Sequence, residues 1–274
     1  MRYKKIIIKI TFLVLLFQAK AEERIGFLFV HGLGGNSTNI EFYGYSEWSI
    51  IQEPYWTFDF PDVGPHGDII KERANLAQDE DIITLAHNYQ AFIDVQKILD
   101  TPLDGIVLIG LSRGAATIIN FVATRNPSLL KAVVLESPFD TVENVIQFYL
   151  KQRYLAWIPG VHACALFYFT HYLYPNYNPN GIKPLDVVAD LPLDLPILFI
   201  HSLEDTLISI ESSRTLLRVL RQTGHKYAYL LELTYGYHGK YQLCSDSQLY
   251  EKAVHAFFHK FSIPFYKKDW PILD

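Results

Sequence analysis

One serine in this sequence has the neighbours of a reactive side chain. Ser112 lies in the stretch GLSRGA, residues 110–115, directly after an apolar run. The pattern Gly-x-Ser-x-Gly predicts a sharp turn from a strand into a helix, where the two arms come too close for a Cβ at either glycine. Such a turn raises the hydroxyl above a sheet and leaves helix amides free to bind negative charge. The context makes Ser112 a candidate nucleophile.

A serine hydroxyl needs a base to remove its proton, and the base needs a carboxylate to orient it. Asp205 follows the strand-like run PILFI, and His238 follows the last strand-like segment. Both positions lie at the carboxyl ends of predicted strands, the edge that also carries Ser112. We therefore expect Asp205 and His238 to act as acid and base for Ser112.

Each of these roles has rivals. Glu136, in VVLESPFD, could replace Asp205 as the acid, and Asp140 and Glu204 are weaker candidates. A carboxylate in the turn that holds Asp205 can reach the ring nitrogen remote from the serine, which favours it. Among the histidines, His225 precedes its strand and would lie at the opposite edge of the sheet.

Backbone amides on both sides of Ser112 could stabilise an oxyanion. The run GFLFV leads into HGLGG, residues 31–35, whose glycines let amides point inward. We expect the amides of Leu33 and Arg113 to form an oxyanion hole, and we interpret His31 as a structural residue of this turn. The Arg113 side chain could favour an acidic substrate, but its place at the start of a helix favours an outward orientation.

Two groups of residues have features of metal ligands, but other interpretations are stronger. His255 and His259 have the i,i+4 spacing of a helical metal site, without the glutamate of a zinc protease motif. The stretch FPDVGPHGD holds Asp62, His66 and Asp68 and follows Asp59, but its Pro and Gly content is typical of a turn. We predict a turn bordering the active site, and we expect no metal and no cofactor.

Alternating strands and helices must position these residues. Apolar, β-branched and aromatic runs of strand length occur at 25–30, 55–60, 106–109, 132–135, 197–200 and 227–233. Helical spacing occurs at 81–99, 115–124, 211–221 and 248–261. Strands that are apolar throughout predict a mostly parallel sheet with helices on both faces. In such a sheet the active site lies beyond the carboxyl ends of the strands.

The segment 139–194 interrupts this alternation. It is rich in aromatic residues and prolines and is too long for an ordinary connection between two strands. We predict an inserted helical cap over the carboxyl edge, with its aromatic residues packing on the body or lining a pocket. The expected domains are a core in two parts, 22–138 and 195–274, with the cap between them.

Composition limits the class of protein. With 274 residues, half of them hydrophobic, the chain can bury one large core. A net charge of −5 leaves no broad basic surface for phosphates, so nucleic acid is not an expected partner. Cys164 and Cys244 could form a disulfide in an oxidising compartment or remain as two thiols.

The first segment has the pattern of a secretory signal. Basic residues precede an apolar stretch, and Ala-Lys-Ala at 19–21 fits a cleavage site after Ala21. The apolar stretch is shorter than the roughly 20 residues that a bilayer requires, although an uncleaved anchor remains an alternative. We expect export to a bacterial periplasm or secretion, and no stable membrane span in the mature chain.

Four motifs in order resemble the α/β-hydrolase superfamily: FLFVHGLGG, IVLIGLSRGA, PILFIHSLEDTLIS and YGYHGKY. The C-terminal half is similar to the prolyl-oligopeptidase-like and acyl-esterase branch. The resemblance implies Ser112 as nucleophile, Asp205 as acid and His238 as base, in the family's chain order. One departure is that HGLGG follows the signal almost immediately, which predicts a trimmed sheet without the family's first strands.

Three functions are compatible with these observations. The first is an exported serine esterase acting through an acyl-enzyme on a small-molecule or lipid-like acyl substrate. The second is a serine peptidase of the prolyl-oligopeptidase-like type, although the propeller domain of that family is absent from this sequence. The third is a non-catalytic binding protein on a hydrolase fold. Acyl chain length, leaving group and oligomeric state stay open.

Overall fold

The sheet of this protein has six parallel strands in the part of the chain that the structure describes. The computed structural model describes residues 23–38, 54–239, 241 and 244–265, so the predicted signal segment lies outside the described residues. The strands are β1 (Ile25–Val30), β2 (Tyr55–Thr57), β3 (Gly105–Leu111), β4 (Leu130–Glu136), β5 (Ile197–Ser202) and β6 (Ala228–Leu233). Their order across the sheet is β2-β1-β3-β4-β5-β6. This is the parallel sheet with helices on both faces that the sequence predicts.

The central strands are buried on both faces, which explains their unbroken apolar runs. Every residue of β1, β3 and β5 is buried. All neighbouring strands pair in parallel, so their carboxyl ends meet at one edge. The second strand is shorter than predicted, since the pairing ends at Thr57, while Phe58 and Phe60 remain buried beyond it.

Seven helices surround the sheet in the described residues: α1 (Asp79–Ile98), α2 (Arg113–Arg125), α3 (Val142–Gln152), α4 (Val161–Tyr168), α5 (Pro184–Val187), α6 (Ile210–Gln222) and α7 (Ser247–Lys260). Short 3₁₀ turns occur at Lys71–Arg73 and Val188–Asp190. Helix α4 continues into a π-helical segment, Phe169–Leu173. The first predicted helix, 81–99, is confirmed, and the last residue of α1, Ile98, is 81% exposed.

Two apolar clusters cover the two faces of the sheet. On one face, side chains of α1, α2 and α6, such as Phe92, Ile118 and Leu216, pack against alternate strand residues. On the other face, α7 contributes residues such as Val254 and Phe258. The alternation of strand side chains between the clusters follows from the pleat of a β-strand.

A third cluster joins the cap to the carboxyl edge. Helices α3, α4 and α5 and the π-helical segment lie between β4 and β5, within the predicted cap. Val142, Ile146 and Leu150 of α3 pack with Phe139, which follows β4, and with Ile208, which follows β5. The cap therefore lies on the edge where the parallel strands end.

Two further observations concern the membrane and the cysteines. Among the residues described, no helix combines the length and apolar character needed to cross a bilayer. Cys164 and Cys244 are free thiols, the first exposed and the second half-buried. Cys244 donates a hydrogen bond to the Tyr241 carbonyl at 2.8 Å.

Candidate active site

Ser112 occupies the turn between β3 and α2 in a backbone conformation that serine rarely adopts. Its φ is 55° and its ψ is −116°, and its amide donates to the Glu136 carbonyl at 2.8 Å. A Cβ on Gly114 would lie 2.0 Å from the Val30 carbonyl oxygen, and one on Gly110 would lie 2.7 Å from a helix amide. The flanking glycines therefore permit the turn, and the strain is concentrated at the serine.

His238 is hydrogen-bonded to Asp205. His238 lies in the loop that follows β6, and its Nδ1 is 2.8 Å from Asp205 Oδ2. The other oxygen of Asp205 accepts hydrogen bonds from the amides of Leu207 at 2.8 Å and Ile208 at 2.9 Å. Both carboxylate oxygens are thus held, so the carboxylate can fix the plane of the imidazole. Ser112 and His238 line the same pocket.

Three buried side chains complete the surroundings of Asp205. Ser137 Oγ donates to Asp205 Oδ2 at 2.9 Å and is itself hydrogen-bonded to the hydroxyl of Tyr241. His201 Nε2 lies 3.3 Å from the same oxygen. Burial alone would raise the pKa of Asp205, but hydrogen bonds from His201 and His238 hold that pKa well below its usual range. The carboxylate of Asp205 is therefore kept ionised.

Sequence reasoning missed Ser137, Tyr241 and His201. Ser137 directly follows Glu136, and Tyr241 comes from the loop after His238. Their positions in the sequence could have indicated Ser137 and Tyr241, because both lie close to candidate site residues at the carboxyl edge. Their side-chain directions, however, depend on contacts between segments that are far apart in the chain.

The rival acids make other contacts. Glu136 accepts a hydrogen bond from the Tyr250 hydroxyl at 2.5 Å. Asp140 accepts from Ser212 Oγ at 2.9 Å and from Asn144 Nδ2 at 2.8 Å. Glu204 is exposed. Asp205 is therefore the candidate acid with a hydrogen bond to His238 in the described structure.

The turn that holds Leu33 lies against Ser112. A Cβ on Gly32 would lie 3.3 Å from Ser112 Cβ, so the turn after β1 and the turn after β3 are in close contact. Leu33 and Arg113 both line the pocket with Ser112. Since Arg113 is the first residue of α2, its amide is one of those left without an intrahelical acceptor.

His31 links this turn to the segment after β2. Its Nδ1 is 2.8 Å from the Gly32 carbonyl, and its Nε2 accepts a hydrogen bond from the Phe60 amide at 3.2 Å. The ring packs edge-on against Phe60. Burial, followed by the charge of Arg113, lowers the pKa of His31 to about 4. A neutral His31 therefore supports the turn through both ring nitrogens.

The predicted outward orientation of the Arg113 side chain is wrong. Arg113 is 1% exposed, with Nη1 at 2.7 Å from Asp62 Oδ2 and Nε at 3.6 Å from Asp81 Oδ2. Its guanidinium also lies over the Phe60 ring, 4.2 Å from the centroid. The side chain turns inward because two buried carboxylates from distant segments neutralise it. Its charge is therefore engaged within the fold, which removes the argument for an acidic substrate.

The groups compared with metal ligands have other contacts. Asp62 of the FPDVGPHGD stretch pairs with Arg113, and Asp59 accepts a hydrogen bond from the Ser37 amide at 2.5 Å. His255 stacks on Phe265 and His259 is exposed. No cluster of three or more metal-ligating side chains occurs among the residues that the structure describes.

A pocket of about 590 Å³ connects the cap to Ser112 and His238. Its lining is mainly apolar and comes largely from the cap: Phe139, Val142, Val145, Ile146, Tyr149, Leu150, Ala165, Tyr168, Phe169, Leu173 and Tyr174, with Leu33, Leu76, Leu207 and Ile208 from the body. The polar groups of Ser112 and His238 lie among these apolar side chains. The pocket can therefore hold an apolar group beside a hydroxyl and an imidazole.

An open parallel sheet, a serine in the strand-to-helix turn and a capped pocket at the carboxyl edge define the α/β-hydrolase class. The model of the alpha/beta hydrolase family matches residues 27–234. The chain belongs to this family. The match includes Ser112 and Asp205 and ends before His238.

Solved structures share this fold at low sequence identity. An acylaminoacyl peptidase of Pyrococcus horikoshii is 18% identical with a TM-score of 0.58, and the match covers 92% of this chain and 39% of the peptidase chain. An esterase of Pyrococcus furiosus is 16% identical with a TM-score of 0.62, and the match covers 88% of this chain and 82% of the esterase chain. A monoacylglycerol lipase of Paleococcus ferrophilus is 16% identical with a TM-score of 0.53, and the match covers 86% of this chain and 94% of the lipase chain. No curated protein matches the chain by sequence.

Proposed function

We propose that this protein is an exported serine esterase that cleaves carboxylic esters through an acyl-enzyme. The observation that carries the proposal is the 2.8 Å hydrogen bond between His238 and Asp205, with His238 and Ser112 in one pocket. Ser112 is the nucleophile, His238 the general base and Asp205 the group that orients it. The export component is supported by the signal pattern at 1–21 and predicts a mature chain beginning at Glu22, which N-terminal sequencing would check.

The proposed reaction has two halves. His238 removes the proton of Ser112 as its oxygen attacks the ester carbonyl, and the amides of Leu33 and Arg113 donate to the resulting oxyanion. The intermediate collapses when His238 gives the proton to the departing alcohol. Water, deprotonated by the same histidine, then attacks the acyl-enzyme, and His238 returns that proton to the Ser112 oxygen as its bond to the acyl group breaks and the carboxylic acid leaves. Asp205 stays ionised throughout, in keeping with its lowered pKa.

The lining of the pocket supports an apolar acyl group. Side chains such as Ile146, Leu150 and Phe169 surround the space beside Ser112. Each methylene of an acyl chain buried there contributes about 0.8 kcal/mol. We therefore propose a lipid-like or aromatic ester as substrate, bound without a cofactor.

A serine peptidase is the second candidate. The fold of the archaeal acylaminoacyl peptidase favours it, although this chain covers 39% of that protein. The apolar character of the pocket favours the ester. A non-catalytic binding protein is the third possibility, and the strained conformation of Ser112 argues against it because such strain is typical of functional sites.

Covalent labelling tests the nucleophile. We expect a fluorophosphonate probe to label the wild type and not Ser112→Ala, whereas Ser128→Ala, which changes an exposed serine before β4, should be labelled like the wild type. A folded wild-type protein that is not labelled would contradict the enzyme proposal. Labelling of Ser112→Ala would show that another residue is the nucleophile.

Substrate choice tests the ester against the peptide. We expect p-nitrophenyl esters to be turned over at least about a hundredfold faster, by kcat/KM, than the matching acyl-aminoacyl p-nitroanilides. A preference for the anilides would favour the peptidase.

A further inference from the structure

The outer end of the cap exposes an unusual density of aromatic side chains. All of the residues 151–160, which comprise the last two residues of α3 and the segment leading to α4, are exposed. Trp157 is 78% exposed and Tyr154 is 84% exposed. Leu155 and Ile158 lie in the same segment and are also partly exposed. We call the segment 151–160 the cap tip. Soluble surfaces rarely group exposed apolar residues in this way unless the surface binds something.

Further exposed aromatic side chains lie on the cap helices on either side of the tip, and two of them also line the pocket. Phe167 and Tyr172 are exposed, and Tyr149 and Tyr168 are exposed while also lining the pocket. Tyr168 stacks on Tyr172 with ring centroids 5.5 Å apart. Arg153 of the cap tip lies over the ring of Tyr149, so the tip contacts a residue that lines the pocket.

The charge of this surface is opposite to that of the whole protein. The chain has a net charge of −5, but no Asp or Glu occurs between residues 144 and 185. Lys151 and Arg153 are exposed at the tip, and the Arg153 guanidinium lies 4.3 Å from the centre of the Tyr149 ring. The nearest acidic residue in the sequence before the tip, Glu143, is paired with Lys183 at 2.8 Å. The tip is thus cationic and aromatic.

We propose that the cap tip docks on a membrane surface that contains anionic lipid. Trp and Tyr rings are amphipathic and favour the region between lipid headgroups and acyl chains. Lys and Arg can hold their charges at the headgroups while their alkyl stems remain among apolar groups. Docking needs only the tip. If the proposed esterase function holds, docking also brings the pocket entrance close to lipid-like substrates.

A second copy of the chain is a poorer occupant for this surface. In a two-fold dimer the same patch meets itself, so the cations of one tip would face the cations of the other. No Asp or Glu occurs from the tip to residue 185 to compensate this repulsion. An anionic bilayer supplies the complementary charge.

Vesicle binding tests the proposal without turnover. Every variant is made in the Ser112→Ala background and mixed with vesicles of phosphatidylglycerol in phosphatidylcholine, or of phosphatidylcholine alone. We expect sedimentation with the anionic vesicles, and partition coefficients at least about tenfold lower for Trp157→Ala/Tyr154→Ala and for Lys151→Glu/Arg153→Glu. Ile98→Ala/Leu99→Ala removes an exposed apolar pair at the end of α1 and should bind as the parent does.

Fluorescence gives a second readout at the tip. Trp157 emission should shift to shorter wavelength on anionic vesicles, and Trp157→Phe should lose the shift while still binding. Equal binding of parent and tip variants, or no preference for anionic vesicles, would overturn the proposal. A dimer in sedimentation equilibrium that Trp157→Ala/Tyr154→Ala dissociates would also overturn it. Hydrolysis of a soluble aryl ester by the tip variants with Ser112 restored reports separately on the esterase proposal.

Discussion

At the scale of single residues, Asp205 is the most constrained group at the candidate site. Its two oxygens accept from His238, Ser137 and two backbone amides, and His201 lies nearby. Each of these groups stabilises the ionised form, which offsets the burial that favours the neutral form. An ionised and immobile carboxylate can stabilise an imidazolium without moving a proton.

Exchange of Asp205 tests this assignment. Asp205→Asn keeps the shape of the side chain but cannot hold His238 in the tautomer that the proposed proton transfer from Ser112 requires. We expect kcat for a p-nitrophenyl ester to fall by about 10³–10⁴. The matched control is Glu136→Gln, a change in the rival acid, which accepts a hydrogen bond from the Tyr250 hydroxyl. If Glu136→Gln loses the activity and Asp205→Asn keeps it, the acid is Glu136.

At the scale of elements, one face of helix α3 lines the pocket and the other is exposed to solvent. Ile146 is buried and lines the pocket, while its neighbour Gln147 is exposed. This difference follows from the helical period, which turns successive side chains by about 100°. Helix α3 therefore supplies one wall of the pocket.

Filling the pocket from α3 tests its role as an acyl site. Ile146→Trp should lower kcat/KM for a decanoyl ester by at least about tenfold, because several methylenes lose a burial worth about 0.8 kcal/mol each. Activity on an acetyl ester should change less than about threefold. Gln147→Trp adds the same ring on the exposed face and should alter neither. Equal loss on both esters for Ile146→Trp would contradict an acyl pocket under α3.

At the scale of the whole molecule, the parallel sheet brings the candidate residues together. Ser112 follows β3, Asp205 follows β5 and His238 follows β6, and the carboxyl ends of these strands share one edge. Buried polar contacts then join this edge to the segment after β2, through His31 and Arg113. The free energy of unfolding therefore depends on the protonation state of the groups in those contacts, His31 in particular.

The pH dependence of unfolding should report on His31. Its pKa is about 4 in the folded protein, against about 6.5 in the unfolded chain. Because the unfolded state binds the proton more readily, the contribution of neutral His31 to the free energy of unfolding is complete above about pH 6.5. This contribution is lost as the pH falls towards 4. The loss is roughly 3 kcal/mol in the free energy of unfolding.

Urea unfolding at a series of pH values measures this effect. His31→Gln should be less stable than the wild type at neutral pH but should lose less stability between about pH 6.5 and 4. His87→Gln changes an exposed histidine on α1 and should keep the wild-type dependence. Parallel curves for wild type and His31→Gln would show that another group controls the acid response.

The sequence by itself determined the features that depend on neighbouring residues. The glycines beside Ser112 predict the strand-to-helix turn because the two arms leave no space for a Cβ. The unbroken apolar runs predict buried parallel strands, and the aromatic stretch predicts a cap. These patterns are local, so the strands, all four predicted helices to within two residues and the family could be read without coordinates.

Only the tertiary structure decided the contacts between distant segments. Arg113 turns inward because Asp62 and Asp81 meet it in the core, and Ser137 and Tyr241 are brought to Asp205 by different loops. Ile98 is exposed although it fits the helical period, since burial depends on what packs opposite a residue. A sequence pattern encodes the face on which a side chain lies, whereas the partner across that face is set by how the whole chain packs.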